Sequence, residues 1–120
     1  MKFCWCTVSV RDMEKSLAFY TKVVGLPVQR RFTAGSGVEI CFLGDGETKV
    51  ELIAAPGPNA PAPSDGVTLG FEVASLEAQM ELAAANGFPV ERGPVQPNPS
   101  MRFFYVRDPD GVSVQFVQNL

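Results

Sequence analysis

Val10-Arg11-Asp12-Met13 opens the stretch that decides the fold, and Gly25-Leu26-Pro27-Val28 closes it. Asp12 suits a helix N-cap, because its carboxylate accepts from N–H groups that a first helical turn leaves unpaired. Met13, Leu17, Tyr20 and Val24 then recur at helical spacing, and Gly25 and Pro27 stop the run. The same punctuation returns about 63 residues later, the signature of an internal repeat. Val73-Ala74-Ser75-Leu76 opens it, Gly87-Phe88-Pro89-Val90 closes it, and Leu76, Met80, Ala83 and Ala84 supply the helical spacing between.

Strand patterns flank both helices. Cys4, Cys6, Val8 and Val10 alternate with Trp5, Thr7 and Ser9 before the first helix. Leu69, Phe71 and Val73 alternate with Thr68, Gly70 and Glu72 before the second. A strand is expected near Val28 to Phe32. Val38–Leu43 and Lys49–Ala54 flank Gly44-Asp45-Gly46-Glu47, and Phe103–Val106 and Val112–Val117 flank Asp108-Pro109-Asp110-Gly111. Both tetrapeptides are turn chemistry, so Asp108 and Asp110 receive no catalytic role. Val50-Glu51-Leu52 matches Val114-Gln115-Phe116 in step with the repeat. Each half therefore predicts β-α-β-β-β: a first module over 1–54, a proline-rich linker over 55–65, and a second module over 66–120. Pro94 to Pro99 is expected to be a loop.

The composition narrows the function. The 120 residues are 46% hydrophobic and 19% charged, as in an ordinary globular domain. No apolar run approaches the ~20 residues of a membrane span, and no signal peptide precedes the charges at Arg11 to Lys15. The net charge is −3 with no basic cluster, which excludes phosphate-backbone binding and so a nucleic-acid partner. There is no histidine, so Ser-His-Asp and Cys-His catalysis and imidazole metal ligands are excluded. Three cysteines, Cys4, Cys6 and Cys41, predict reduced thiols in the cytoplasm, acting as small buried hydrophobes. Arg30, Arg31, Arg92, Arg102 and Arg107 offer charge for an anion or a partner, but such residues more often form a solvated, mixed-charge surface.

Carried by residues 10–20, by Val24-Gly25-Leu26 and by Val106-Arg107-Asp108-Pro109-Asp110-Gly111 with Val112-Ser113-Val114-Gln115, the chain resembles the vicinal oxygen chelate superfamily. That group includes glyoxalase I, extradiol dioxygenases and bleomycin-resistance proteins. The resemblance implies an α+β fold in which two βαβββ modules form curved mixed sheets around a cavity, with helices outside. It also implies pairing into homodimers. Metal-dependent relatives hold an ion at four positions that fall here on Trp5, Glu51, Thr68 and Gln115. An indole cannot ligate and a hydroxyl is a poor ligand for divalent transition metals, so no metal and no other cofactor is expected. A one-residue slip of the first strand would turn Cys4 and Cys6 inward and offer a thiolate instead.

The resulting expectation is a metal-independent binding protein that sequesters an aromatic or cationic small molecule rather than an enzyme. Its lining is expected from Trp5, Thr7, Phe42, Glu51, Thr68, Phe103, Tyr105 and Gln115, with stacking and cation–π attraction at Trp5. Which residues of Phe42 and Phe103 to Tyr105 point inward stays open at this stage. The alternative is a glyoxalase-type lyase or isomerase in which Glu51 acts as the base. A more conservative role for Glu51 is a structural carboxylate hydrogen-bonded to Gln115. A regulatory module with an empty cavity is a third possibility.

Overall fold

The computed structural model describes residues 1–57 and 66–120. Residues 58–65, most of the expected linker, lie outside the described residues. The chain forms two compact units, one carrying strands β1 to β4 and the other β5 to β8. In the first, β1 (Trp5–Ser9), α1 (Met13–Ala18), β2 (Val28–Thr33), β3 (Glu39–Leu43) and β4 (Lys49–Ala54) follow in order. In the second, β5 (Thr68–Glu72), α2 (Leu76–Ala85), β6 (Arg92–Asn98), β7 (Met101–Arg107) and β8 (Ser113–Asn119) repeat that order. The sheets run β1-β4-β3-β2 and β5-β8-β7-β6, each with one parallel pair, β1 with β4 and β5 with β8. The α+β class and the βαβββ repeat hold.

The caps form as the sequence predicts. The Asp12 side chain accepts from the Lys15 N–H at 3.2 Å, and the Ser75 hydroxyl oxygen accepts from the Ala78 N–H at 3.2 Å. Two details differ. Beyond Ala18 the first helix widens into a π turn over Phe19–Val23, closed by the Val24 N–H on the Phe19 carbonyl at 3.2 Å. Phe19, Tyr20 and Val23 are buried there, and Val24, the residue expected from helical spacing, is only half-buried. In α2 only Leu76 and Ala83 are buried, while Ala84 faces solvent.

Strand alternation separates two faces in each sheet. Val8, Leu52, Cys41 and Arg31 are successive cross-strand partners, and Arg31 pairs with Glu14 of α1, so this row lies under the first helix. Val8, Leu52 and Cys41 are buried there. In the second unit Phe71, Phe116 and Phe104 form the corresponding row. Gln118, two residues on from Phe116, accepts from the Leu76 N–H of α2 at 2.8 Å. The strand-slip alternative is therefore not adopted: Val8 is buried with the helix, and Thr7 points to the other face.

The expected loop at Pro94 to Pro99 is largely strand β6, a correction with a simple cause. β6 is the outermost strand of its sheet, so it needs hydrogen bonds on one side only, and its paired residues are Arg92, Val95 and Asn98. Pro94 and Pro97 fall between those pairs, where a missing N–H costs nothing. Asp108, by contrast, does what the turn reading expects. Its Oδ1 accepts from the Asp110 and Val112 N–H groups at 2.8 and 2.9 Å.

The cysteines differ from the expectation of three buried thiols. Cys41 is buried, Cys6 is half-buried and Cys4 is exposed, because Cys4 precedes β1 and lies beyond the cover of α1. Burial pushes the Cys41 thiol up; Arg31 opposes this and Glu14 adds to it. A neutral buried thiol contributes stability below the ordinary thiol pKa, and that contribution is lost as pH rises above it. Alkylation with iodoacetamide at pH 8, followed by peptide mapping, should modify Cys4 first, Cys6 more slowly and Cys41 only after unfolding. Early modification of Cys41 would contradict this packing.

Candidate functional site

On the face away from α1, Thr7, Glu51, Phe42 and Arg30 are successive partners across β1, β4, β3 and β2. Thr7 donates from Oγ1 to Glu51 Oε1 at 2.5 Å, and Glu51 is only 8% exposed. Trp5, two residues before Thr7 on the same face, meets Phe42 edge to face at 5.1 Å between centroids. The guanidinium carbon of Arg30 lies 5.2 Å from the Phe42 ring centroid and 4.8 Å from that of Phe32. Trp5, Phe42 and Arg30 border a hollow of about 550 Å³, which Lys2, Lys49 and Glu47 also line.

The second unit repeats the arrangement with different side chains. Gly70, Gln115, Tyr105 and Arg92 are the corresponding partners across β5, β8, β7 and β6. Gly70 has no hydroxyl to match Thr7, and Gln115 is held from the other side, donating from Nε2 to the Tyr105 hydroxyl at 3.1 Å. The guanidinium carbon of Arg92 sits 4.1 Å from the Tyr105 ring centroid. Phe103 shares this face and meets Tyr105 edge to face at 5.7 Å, whereas Phe104 points to the helix side and is fully buried. Thr68 is exposed and borders a hollow of about 280 Å³ with Arg92 and Tyr105.

The structure thus brings Trp5, Thr7, Phe42 and Glu51 together on one sheet face, and Phe103, Tyr105 and Gln115 together on the other. Glu51 and Gln115 each find a partner inside their own unit, Thr7 and Tyr105. Among the described residues, no three of the Cys, Asp and Glu side chains cluster closely enough to hold a metal ion. No helix among them is long and apolar enough to cross a membrane.

Sequence reasoning did not separate Arg30 and Arg92 from the other three arginines. The signal was present: the two arginines fall in step with the repeat, at matched positions on β2 and β6. Arg31, Arg102 and Arg107 do behave as surface charges, paired with Glu14 and Glu39, with Glu77, and with Glu91. Arg102 holds the Glu77 carboxyl below its ordinary value, and Glu14 raises Arg31 above its own.

Comparison with known proteins accords with this geometry. The glyoxalase family protein of Bacillus cereus superposes with a TM-score of 0.84 at 20% identity, over 100% of this chain and 95% of that one. TnmS3, an antibiotic binding protein from Streptomyces sp. CB03234, superposes with a TM-score of 0.79 at 21% identity, over 100% and 97% of the two chains. Glyoxalase I of Leishmania major, a trypanothione-dependent enzyme, gives 0.83 at 20% identity, over 98% and 86%. These likenesses show the fold. In sequence, protein YwbC of Bacillus subtilis (strain 168) is 35% identical, over 92% of each chain. The family model for these proteins matches residues 2–116, and the chain belongs to the glyoxalase/bleomycin resistance protein/dioxygenase superfamily.

Proposed function

We propose that this chain is a metal-independent small-molecule-binding protein that sequesters an aromatic compound on the strand faces described above. The observation that carries the proposal is the Trp5–Phe42 pair beside a hollow of about 550 Å³. Trp5 is 48% exposed, a large apolar face left in water next to a recess of ligand size. Such a ring gains most by stacking on a planar guest. TnmS3, an antibiotic binding protein on the same fold, is a precedent for this use of the architecture.

The donor set supports a site without a metal. Of the four positions that metal-dependent relatives use, Trp5 offers an indole and Thr68 a hydroxyl. Glu51 already accepts from Thr7, and Gln115 already donates to Tyr105. One carboxylate and one amide fall short of the three protein ligands that a catalytic zinc ordinarily has. Discrimination would then come from shape and polarity.

A second reading, a glyoxalase-type lyase or isomerase with Glu51 as base, draws on the burial of that carboxylate. Its hydrogen bond from Thr7 favours an orienting role instead, because it occupies one of the oxygens a base would use. If the second reading holds, Glu51→Gln abolishes turnover while ligand affinity survives.

The chain has a single tryptophan, so its emission reports on this site alone. Titration with planar aromatic compounds, antibiotics included, should give a saturable change with a Kd of about 1–10 μM, ordinary for a small preformed pocket. Emission unchanged across the whole panel would refute the proposal. Elemental analysis of purified protein should find no stoichiometric zinc, nickel, iron or manganese, and finding one would refute metal independence.

A further inference from the structure

We infer that the hollow of the first unit takes a planar aromatic acid, its ring against the exposed face of Trp5 and its anion on Arg30. The inference rests on the binding function proposed above and adds the charge of the ligand.

Three observations lead to it. First, Arg30 has no ion-pair partner among the described residues, whereas its neighbour Arg31 has two carboxylates, Glu14 and Glu39. Arg102 and Arg107 are likewise paired. Arg30 instead lies over the Phe32 and Phe42 rings. A guanidinium over aromatic rings and without a carboxylate partner retains donors that a carboxylate can accept from, in the paired geometry arginine favours.

Second, the charge around the hollow opposes that of the chain. The protein carries a net −3, yet Lys2, Arg30 and Lys49 line this recess against Glu47, and the nearby Glu51 carboxylate is buried and bonded to Thr7. A cationic guest would meet repulsion there, and the face of Phe42 that would attract it is already occupied by Arg30. An anion gains from all three positive groups.

Third, the repeat places the same device in the second unit. Arg92 lies over Tyr105 at the register position equivalent to Arg30 over Phe42, and it too has no ion-pair partner among the described residues. There, however, the hollow is about half the size, and Glu91 stands beside it, paired with Arg107 at 3.2 Å. Only the first unit combines room, two aromatic rings and an unopposed guanidinium.

The experiment holds the ring constant and varies the charge. The full-length protein is titrated with 2-naphthoate, 2-naphthamide and 2-naphthylmethylammonium, following Trp5 emission. Naphthoate should bind about tenfold more tightly than the amide, as a charge-assisted pair predicts, and the ammonium more weakly than either. Salt at about 0.5 M should shrink the naphthoate advantage and leave the amide unchanged. Arg30→Gln should bring naphthoate to the amide's affinity, while Lys22→Gln, an exposed change on the π turn, should alter nothing. Because Arg30 is exposed, its variant should fold, and a urea midpoint equal to that of the unsubstituted chain confirms that it has.

Equal affinities for acid and amide, tightest binding of the ammonium, or an Arg30→Gln variant that keeps the preference would each overturn the inference while leaving aromatic binding intact. If none of the three alters Trp5 emission but another aromatic does, the inference falls and the binding function stands.

Discussion

Replacing Phe116 with alanine should destabilise the chain by about 3–5 kcal/mol, the range for deleting a buried aromatic ring. Phe116 is fully buried on β8, an inner strand of its sheet. It lies 5.3 Å from Phe104 and 6.3 Å from Phe71, ring centroid to ring centroid. The helix above is poorly placed to fill the gap. α2 buries only Leu76 and Ala83, and its start is fixed by Ser75 and by Gln118 on the Leu76 N–H. A domain of this size has about 5–15 kcal/mol in all, so the loss is about a fifth of it or more. Urea unfolding should show a midpoint lowered by about 2 M. Phe103→Ala, on the opposite and half-buried face, should cost about 1 kcal/mol. Equal midpoints for the two variants would refute the assignment of Phe116 to the packed side.

Trp5→Ala should weaken aromatic binding by about thirtyfold, the scale of a central aromatic anchor. The indole is the largest exposed ring at the hollow and touches Phe42 by its edge, so its removal deletes the stacking face and loosens the neighbouring ring. Because the variant has no tryptophan, the measurement is equilibrium dialysis or calorimetry. Trp5→Phe should recover most of the affinity. Stability should change little, since Trp5 is half in water and begins β1 rather than sitting within the core. Full affinity in Trp5→Ala would remove the indole from the site.

Much of the architecture was legible because a repeat states each element twice. Asp12 and Ser75 as caps, Gly87 as a stop and Asp108 as a turn former each act through local hydrogen bonding or backbone geometry, which a short stretch encodes. The alternation along β1 was equally plain, but its register was settled by the burial of Val8 and the Thr7–Glu51 bond. Two errors came from reading residues without their neighbours. Pro94 and Pro97 signal a loop only if the strand must bond on both sides, and β6 does not. The helical spacing pointed to Val24, whereas the π turn buries Val23 and leaves Val24 half-buried.

The site was legible in part. Glu51, Trp5 and Gln115 stood out through the family resemblance, and parity along β7 separates Phe103 and Tyr105 from Phe104. Arg30 and Arg92 were not singled out, because composition treats every arginine alike. Only cross-strand register shows that Arg31 faces Glu14 whereas Arg30 faces a ring.

The prolines of β6 have one more effect. Its outer rim lacks amide donors at Pro94 and Pro97, so a foreign strand cannot zip along it. The rim of β2, Gln29 to Thr33, has no such gap. Of these two edges, fibre growth or strand exchange should therefore proceed along β2 and stall along β6.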